Sequence, residues 1–184
     1  IGGASRNYLA AVDTVTGNAT TWDPNVSGGG MFPSISVLYR DGDLLYIGGQ
    51  FSQIGGFARN CLAVLDLTSE TIVSWDPNVT ESNGNSRVMS LVRDNNTVYA
   101  GGNFTQVGGQ PHNYLAAIDA TTGAATAWNP DPNNPVWALV IAGTTVYAGG
   151  GFTSLNGEAR NNLAALDLLT GEPTAWDPNV NGTV

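Results

Sequence analysis

One segment is written several times over in this chain of 184 residues. Tyr99-Ala100-Gly101-Gly102-Asn103-Phe104-Thr105 leads through Leu115-Ala116-Ala117-Ile118-Asp119 to Trp128-Asn129-Pro130. Tyr46 to Pro77 and Tyr147 to Pro178 repeat it, and Ile1 to Pro24 repeats its second half. Trp22, Trp75, Trp128 and Trp176 stand 53, 53 and 48 residues apart, and Asp13, Asp66, Asp119 and Asp167 each precede their tryptophan by nine. All variation in length falls between the tryptophan and the next tyrosine (Tyr46, Tyr99 or Tyr147). Such a period belongs to arrays in which each copy is one small sheet that cannot bury its faces alone.

The copy from Val88 to Asn129 shows what each unit contains. Val88-Met89-Ser90-Leu91-Val92 is a short apolar run closed by the turn cluster Arg93-Asp94-Asn95-Asn96. Val98-Tyr99-Ala100 opens a second run that extends through Phe104 to Gly108-Gly109. Tyr114 to Ile118 is a third and Ala124 to Trp128 a fourth. Four runs between Gly, Asn, Asp and Pro punctuation predict four antiparallel strands, and no stretch carries helical apolar spacing. Leu115-Ala116-Ala117-Ile118 is apolar on both faces, as in a sheet covered on both sides, whereas a sandwich strand would alternate with polar residues. Gly48-Gly49, Gly101-Gly102 and Gly149-Gly150 stand inside the second run, where glycine is expected at close contacts with a neighbouring sheet. The expected fold is all-β, a β-propeller made of four-stranded antiparallel blades, with about three and a half blades in this chain. Residues 1–24 form a half blade, 35–77, 88–130 and 136–178 are blades, and 179–184 start the next.

The repeat is entered and left mid-unit. Ile1-Gly2-Gly3 aligns with Ile54-Gly55-Gly56, and Val184 aligns with Val136. The half blade therefore exposes a strand without its inner neighbour, an edge of unpaired backbone groups. Closure needs more blades than are present, so the expected partners are further repeats of the same chain or other copies of it.

Charge narrows the remaining partners. The net charge is −9, and the six basic residues are all arginine. Nucleic acid is excluded by the want of a basic surface, and membrane insertion by the want of a run of about 18 apolar residues. Cys61 is the only cysteine, so no disulfide forms within the chain, and with no repeated histidine beside it we expect an ordinary strand residue.

The clearest pattern in the polar residues is a paired change. Arg6, Arg59 and Arg160 share a slot held by His112 in the remaining copy, and Asp23, Asp76 and Asp177 share one held there by Asn129. The expectation is a bidentate Arg–carboxylate latch, Arg6–Asp23, Arg59–Asp76 and Arg160–Asp177, replaced by the neutral His112–Asn129. The alternative is a ring of arginines offered to an anionic ligand. The loops Asp13 to Gly17, Asp119 to Gly123 and Asp167 to Gly171 have too few carboxylates for calcium and read as hairpin turns with glycine at positive φ. Glu70 takes the glycine place in the other copy. Neither a metal nor a cofactor is expected.

No nucleophile, base and orienting group can be assembled, so no catalytic residue is assigned, although a carboxylate pair stays open. The repeated tryptophans are expected as wedges between sheets, the alternative being sugar-stacking platforms. Trp137 stands where Met89 and Ser36 occur and is expected near the axis. The segment 78–86 is the most individual loop, which makes Glu81, Asn83, Arg87 and Trp137 the candidate ligand contacts. Six N-x-S/T triplets begin at Asn18, Asn25, Asn78, Asn95, Asn103 and Asn181.

In Tyr-Ala-Gly-Gly-x-Phe-Thr, Gly-Gly-x-x-Arg-Asn-x-Leu-Ala-Ala-x-Asp and Trp-Asp-Pro-Asn the chain resembles a repeat family of secreted bacterial β-propellers of unassigned function. It is similar in the same residues to the propeller repeats of fungal cell-surface cortical marker proteins. The resemblance implies an extracellular or surface protein serving adhesion or display, with glycans or surface proteins as partners. A carbohydrate-binding or hydrolytic propeller, or a subunit of an extracellular filament or sheath, are the alternatives.

Overall fold

A computed structural model describes residues 3–30 and 32–182. The alignments of Ile1-Gly2 and Val184 lie outside those residues. Every regular element among the described residues is a β-strand, and all pairings are antiparallel. The first sheet runs Ser34–Asp41, Leu44–Gln50, Leu62–Asp66, Thr71–Ile72, in that spatial order. The second contains Arg87–Asp94, Thr97–Asn103 and Leu115–Asp119, and the third Val136–Ala142, Thr145–Gly150 and Leu163–Asp167. In the leading half-repeat one bridge, Val12 to Ala19, marks the same hairpin.

The fourth run is shorter than its sequence suggests. Among the described residues only the first sheet has a fourth strand, of two residues; elsewhere single bridges, Ile118 to Ala125 and Leu166 to Pro173, take its place. The reason is local. Thr126 donates its N–H to the Ala117 carbonyl at 2.8 Å, and its hydroxyl then accepts the N–H of Trp128 at 3.2 Å. Thr20 and Thr174 act alike toward Trp22 and Trp176, so a side chain replaces the ladder partner and the backbone curls away. The repeat with Val73 at that slot is the one that keeps its fourth strand.

The second run also breaks in two. Its strand ends at Asn103, and a separate tight hairpin, Gln106–Val107 with Gln110–Pro111, follows around Gly108 (φ 59°) and Gly109 (φ 78°). Val79–Thr80, which follows the tryptophan of the preceding repeat, pairs with Gln106–Val107. Consecutive repeats are thus tied through backbone hydrogen bonds as well as through their cores.

Those cores lie between sheets. Tyr46, Leu62, Val64 and Trp75 of the first sheet meet Leu91, Val98, Ala116 and Ile118 of the second. Tyr99, Leu115, Ala117 and Trp128 of the second meet Val146, Ala148, Ala164 and Leu166 of the third. Leu9 and Trp22 of the leading half-repeat cover Ile47, Ala63 and Leu65. The run Leu115-Ala116-Ala117-Ile118 is fully buried because a sheet sits against each face.

The strand glycines serve two surfaces. A Cβ on Gly48 would lie 2.8 Å from Val88 of the next repeat, and one on Gly101 would lie 2.9 Å from Val136 of the next. Gly49, Gly102 and Gly150 instead face their own sheet, where a Cβ would strike the carbonyls of Ser34, Arg87 and Pro135. At that point each first strand bulges, and Ser36, Met89 and Trp137 are the extra residues.

Two outcomes follow for stability. Gly102→Ala is expected to cost more than Gly101→Ala in urea unfolding, ~3 against ~1–2 kcal/mol, because backbone yields less than the ends of Ser90 and Val136; equal costs would contradict this packing. Glu70 sits at φ 55°, where the other copies place Gly17, Gly123 and Gly171 at 70–79°. Glu70→Gly should therefore stabilise the chain by about 0.5–1 kcal/mol, seen as a rise in Tm.

Candidate functional site

The Trp-x-Pro segments and the Gly-Gly hairpins lie together at one end of the sheets, joined by hydrogen bonds between consecutive repeats. Here the arginines differ from the expected carboxylate latch. Arg59 donates to the carbonyls of Ala58 at 2.7 Å and Val73 at 2.9 Å. Arg6 donates to those of Ser5, Thr20 and Trp22, and Arg160 to those of Ala159 and Thr174. The carboxylates stand further off, Asp23 at 3.8 Å from Arg6 and Asp76 at 3.6 Å from Arg59. Arg160 forms its ion pair with Glu158 rather than Asp177. The guanidinium fork is thus occupied by peptide oxygens at the strand end, which need a donor more than the exposed carboxylates do. With their side chains only 11–14% exposed, these arginines do not form a free ring for an anion.

The carboxylates have another task. Asp76 Oδ1 accepts the N–H of Asn78, and Asp23 and Asp177 accept those of Asn25 and Asn179, closing a turn at each tryptophan corner. The side-chain bridge across the corner comes from the asparagine after each arginine. Asn7, Asn60 and Asn161 donate to the Oδ1 atoms of Asn25, Asn78 and Asn179 at 2.7–2.8 Å. In the remaining copy Asn113 donates to Asp131. The regular 18-residue spacing of these pairs was the available signal.

His112 fills the arginine slot differently. It is buried, its Nδ1 has no partner, and no hydrogen bond among the described residues joins it to Asn129, which is exposed. Burial pushes the His112 imidazole below its ordinary value of 6.5, against the opposing pull of the nearby Asp131.

The loop candidates are largely committed to each other. Glu81 accepts from Asn83 at 3.0 Å and from Asn103 at 2.9 Å, while Asn83 caps the N–H of Asn85. Arg87 reaches back to the preceding sheet, donating to Ser34 Oγ at 2.9 Å and Gln50 Oε1 at 3.2 Å. Beneath it Cys61 donates to Ser86, and burial raises its thiol pKa. Cys61 is not a strand residue: it holds φ 63° just before Leu62–Asp66, as Tyr8, Tyr114 and Asn162 do in their copies. Trp137 is 37% exposed at its bulge, its ring against Gly151, and no hydrogen bond among the described residues joins it to the loop candidates.

At the opposite end the aspartate loops are turns. Oδ1 of Asp119 accepts the N–H groups of Thr121 and Thr122 and the Thr122 hydroxyl. These bonds, led by the backbone N–H of Thr122, hold its carboxyl below the usual range, and Asp13, Asp66 and Asp167 behave alike. Each Oδ1 is thereby taken up by its own loop. Comparison with models of protein families finds no match to this chain, and comparison with curated proteins finds none either.

The clasp can be separated from an ion pair by mutation. Arg59→Ala should cost about 1.5–3 kcal/mol by stranding two carbonyls, whereas Asp76→Asn, which still caps Asn78, should stay within ~0.5 kcal/mol. Similar losses for both in chemical unfolding would restore the carboxylate latch. For His112 the sign is fixed by its depressed folded value: the unfolded chain takes up the proton first as pH falls. Stability should therefore drop as pH falls through 6.5, by at most ~1.4 kcal/mol per unit, and level off below the folded value. His112→Arg should flatten that part of the profile.

Proposed function

We propose that this chain is part of a β-propeller, its sheets fanned about a common axis, that acts as a non-catalytic scaffold or binding module outside the cell or on its surface. One observation carries the reading: the same interface recurs between successive sheets. Trp75 donates its indole N–H to the Asp119 carbonyl of the next repeat at 3.0 Å, and Trp128 does so to Asp167 at 3.1 Å. A rule repeated at each step generates a regular array. The close approach of each first strand to the second strand of the preceding sheet, Val88 to Gly48 and Val136 to Gly101, supports a fan rather than a straight pile, with Trp137 toward the axis. Further repeats of the same kind are the natural neighbours. The extracellular setting and the adhesion or display role rest on the resemblance of the repeat.

The hydrogen bonds that Glu81 and Asn83 make within their own loop favour a scaffold over a site waiting for a polar ligand. Trp137 favours the second reading, carbohydrate binding, since an exposed indole suits a sugar ring. A glycan array probed with the chain decides between them. No saturable glycan is expected; one whose binding is lost in Trp137→Ala would replace the scaffold reading with a lectin.

A further inference from the structure

The second and third sheets do not fill the space between them as the first and second do. In the first sheet Leu44, Val64 and Val73 face the second, packed with Tyr46 and Trp75. The same three places in the second sheet are held by Thr97, Ala117 and Thr126, each with fewer apolar atoms. An open cleft of about 380 Å3 results, with those three residues on one wall beside Tyr99 and Trp128. Leu168 and Leu169 of the third sheet form the other wall, and Leu169 is 86% exposed. All of these residues belong to full repeats, so the cleft follows from their side chains.

Charge is unbalanced at the mouth of this cleft. Asp94 lines it, half-buried, and its carboxylate accepts from Asn95 at 2.9 Å. No arginine among the described residues forms an ion pair with it. The same place in the first sheet is Asp41, which pairs with Arg93 of the second, and that guanidinium lies 5.7 Å from the centre of the Tyr46 ring. Asp94 and Tyr99 are the counterparts of Asp41 and Tyr46, but the third sheet offers Ile141 where the second offers Arg93. Burial, with the Asp94 carboxylate adding to it, raises the Tyr99 hydroxyl pKa, so acid and ring share one neighbourhood. The hydroxyl itself is turned to the Leu168 carbonyl at 3.1 Å and does not answer Asp94.

We infer that the cleft between the second and third sheets receives an arginine side chain of a partner polypeptide. Its guanidinium lies against Asp94 and beside the Tyr99 ring, as Arg93 lies against Asp41 and Tyr46. Its methylene stem runs along Leu168 and Trp128. Lysine suits the place less, since only a planar fork meets a carboxylate and stacks on a ring together. The net charge of −9 draws a cation toward the chain, and the cleft adds what open surface lacks, an apolar wall for the stem. The inference gives the proposed binding module a ligand class and rests on that half of the reading, not on the sheets closing into a ring.

The probe is N-acetyl-arginine methylamide, titrated into the 184-residue chain and followed by NMR at the Trp128 indole N–H. A saturable shift of that signal is expected. The neutral isostere N-acetyl-citrulline methylamide, and the Asp94→Asn chain with the arginine probe, should each bind about tenfold more weakly. Thr97→Leu with Ala117→Val restores the residue types of the first sheet and should abolish binding by filling the cleft. An unchanged or raised melting temperature confirms that both variants are folded. Equal binding of the citrulline probe, or undiminished binding to Asp94→Asn, overturns the inference, since the general negative charge would then explain it. So does a bare guanidinium ion that binds as well as the probe, because the apolar wall then contributes nothing. An absent shift overturns this inference and leaves the scaffold reading in place. A neutral glycan that shifts the same indole signal while the arginine probe does not overturns both.

Discussion

Each sheet is fastened to the next by an indole. Trp75 and Trp128 are 5% and 6% exposed, and each stands edge-on to a tyrosine of its own sheet while its N–H reaches a carbonyl of the following one. An edge-to-face aromatic pair adds ~0.5–1.5 kcal/mol to the burial, and the hydrogen bond relieves a polar N–H that would otherwise be stranded between apolar sheets. The bond also keys each indole to the aspartate carbonyl that opens the facing turn. Trp176 makes the same contact with Tyr147, yet it is 45% exposed, since no sheet follows it among the described residues.

The two ends of the sheets solve the same backbone problem with different side chains. At one end Asp13, Asp66, Asp119 and Asp167 close tight turns by accepting N–H groups that have no strand partner. At the other, arginine forks accept the reverse task and satisfy orphan carbonyls, while asparagine pairs bridge the corner after each tryptophan. Charged residues are scarce in this chain, and most of its arginines are used inward.

Much of the architecture was legible because the repeat isolates what must be constant. Tryptophan spacing, the doubly apolar Leu115-Ala116-Ala117-Ile118 and the paired glycines led to all-β sheets packed on both faces, with indoles between them. What escaped was geometry below the level of pattern. The joint change of Arg to His112 and Asp to Asn129 suggested a bidentate pair. Arg6 and Arg59 do keep Asp23 and Asp76 at 3.8 and 3.6 Å, but their shorter bonds go to carbonyls, and Arg160 turns to Glu158. The short fourth strand depends on where the hydroxyls of Thr20, Thr126 and Thr174 point, and the left-handed Cys61 depends on a hairpin register; neither is written in residue type. In the glycine pairs the first member was readable as a neighbour contact, while the second meets a bulge that sequence alone does not announce.

The keyed indoles are open to direct measurement by hydrogen exchange at the five Nε1–H groups, followed by NMR under native conditions. The account requires slow exchange at Trp75 and Trp128, closing only with global unfolding, and fast exchange at the exposed Trp137 and Trp176. Exchange at Trp75 and Trp128 as rapid as at Trp176 would mean that the sheets are not held together through these bonds.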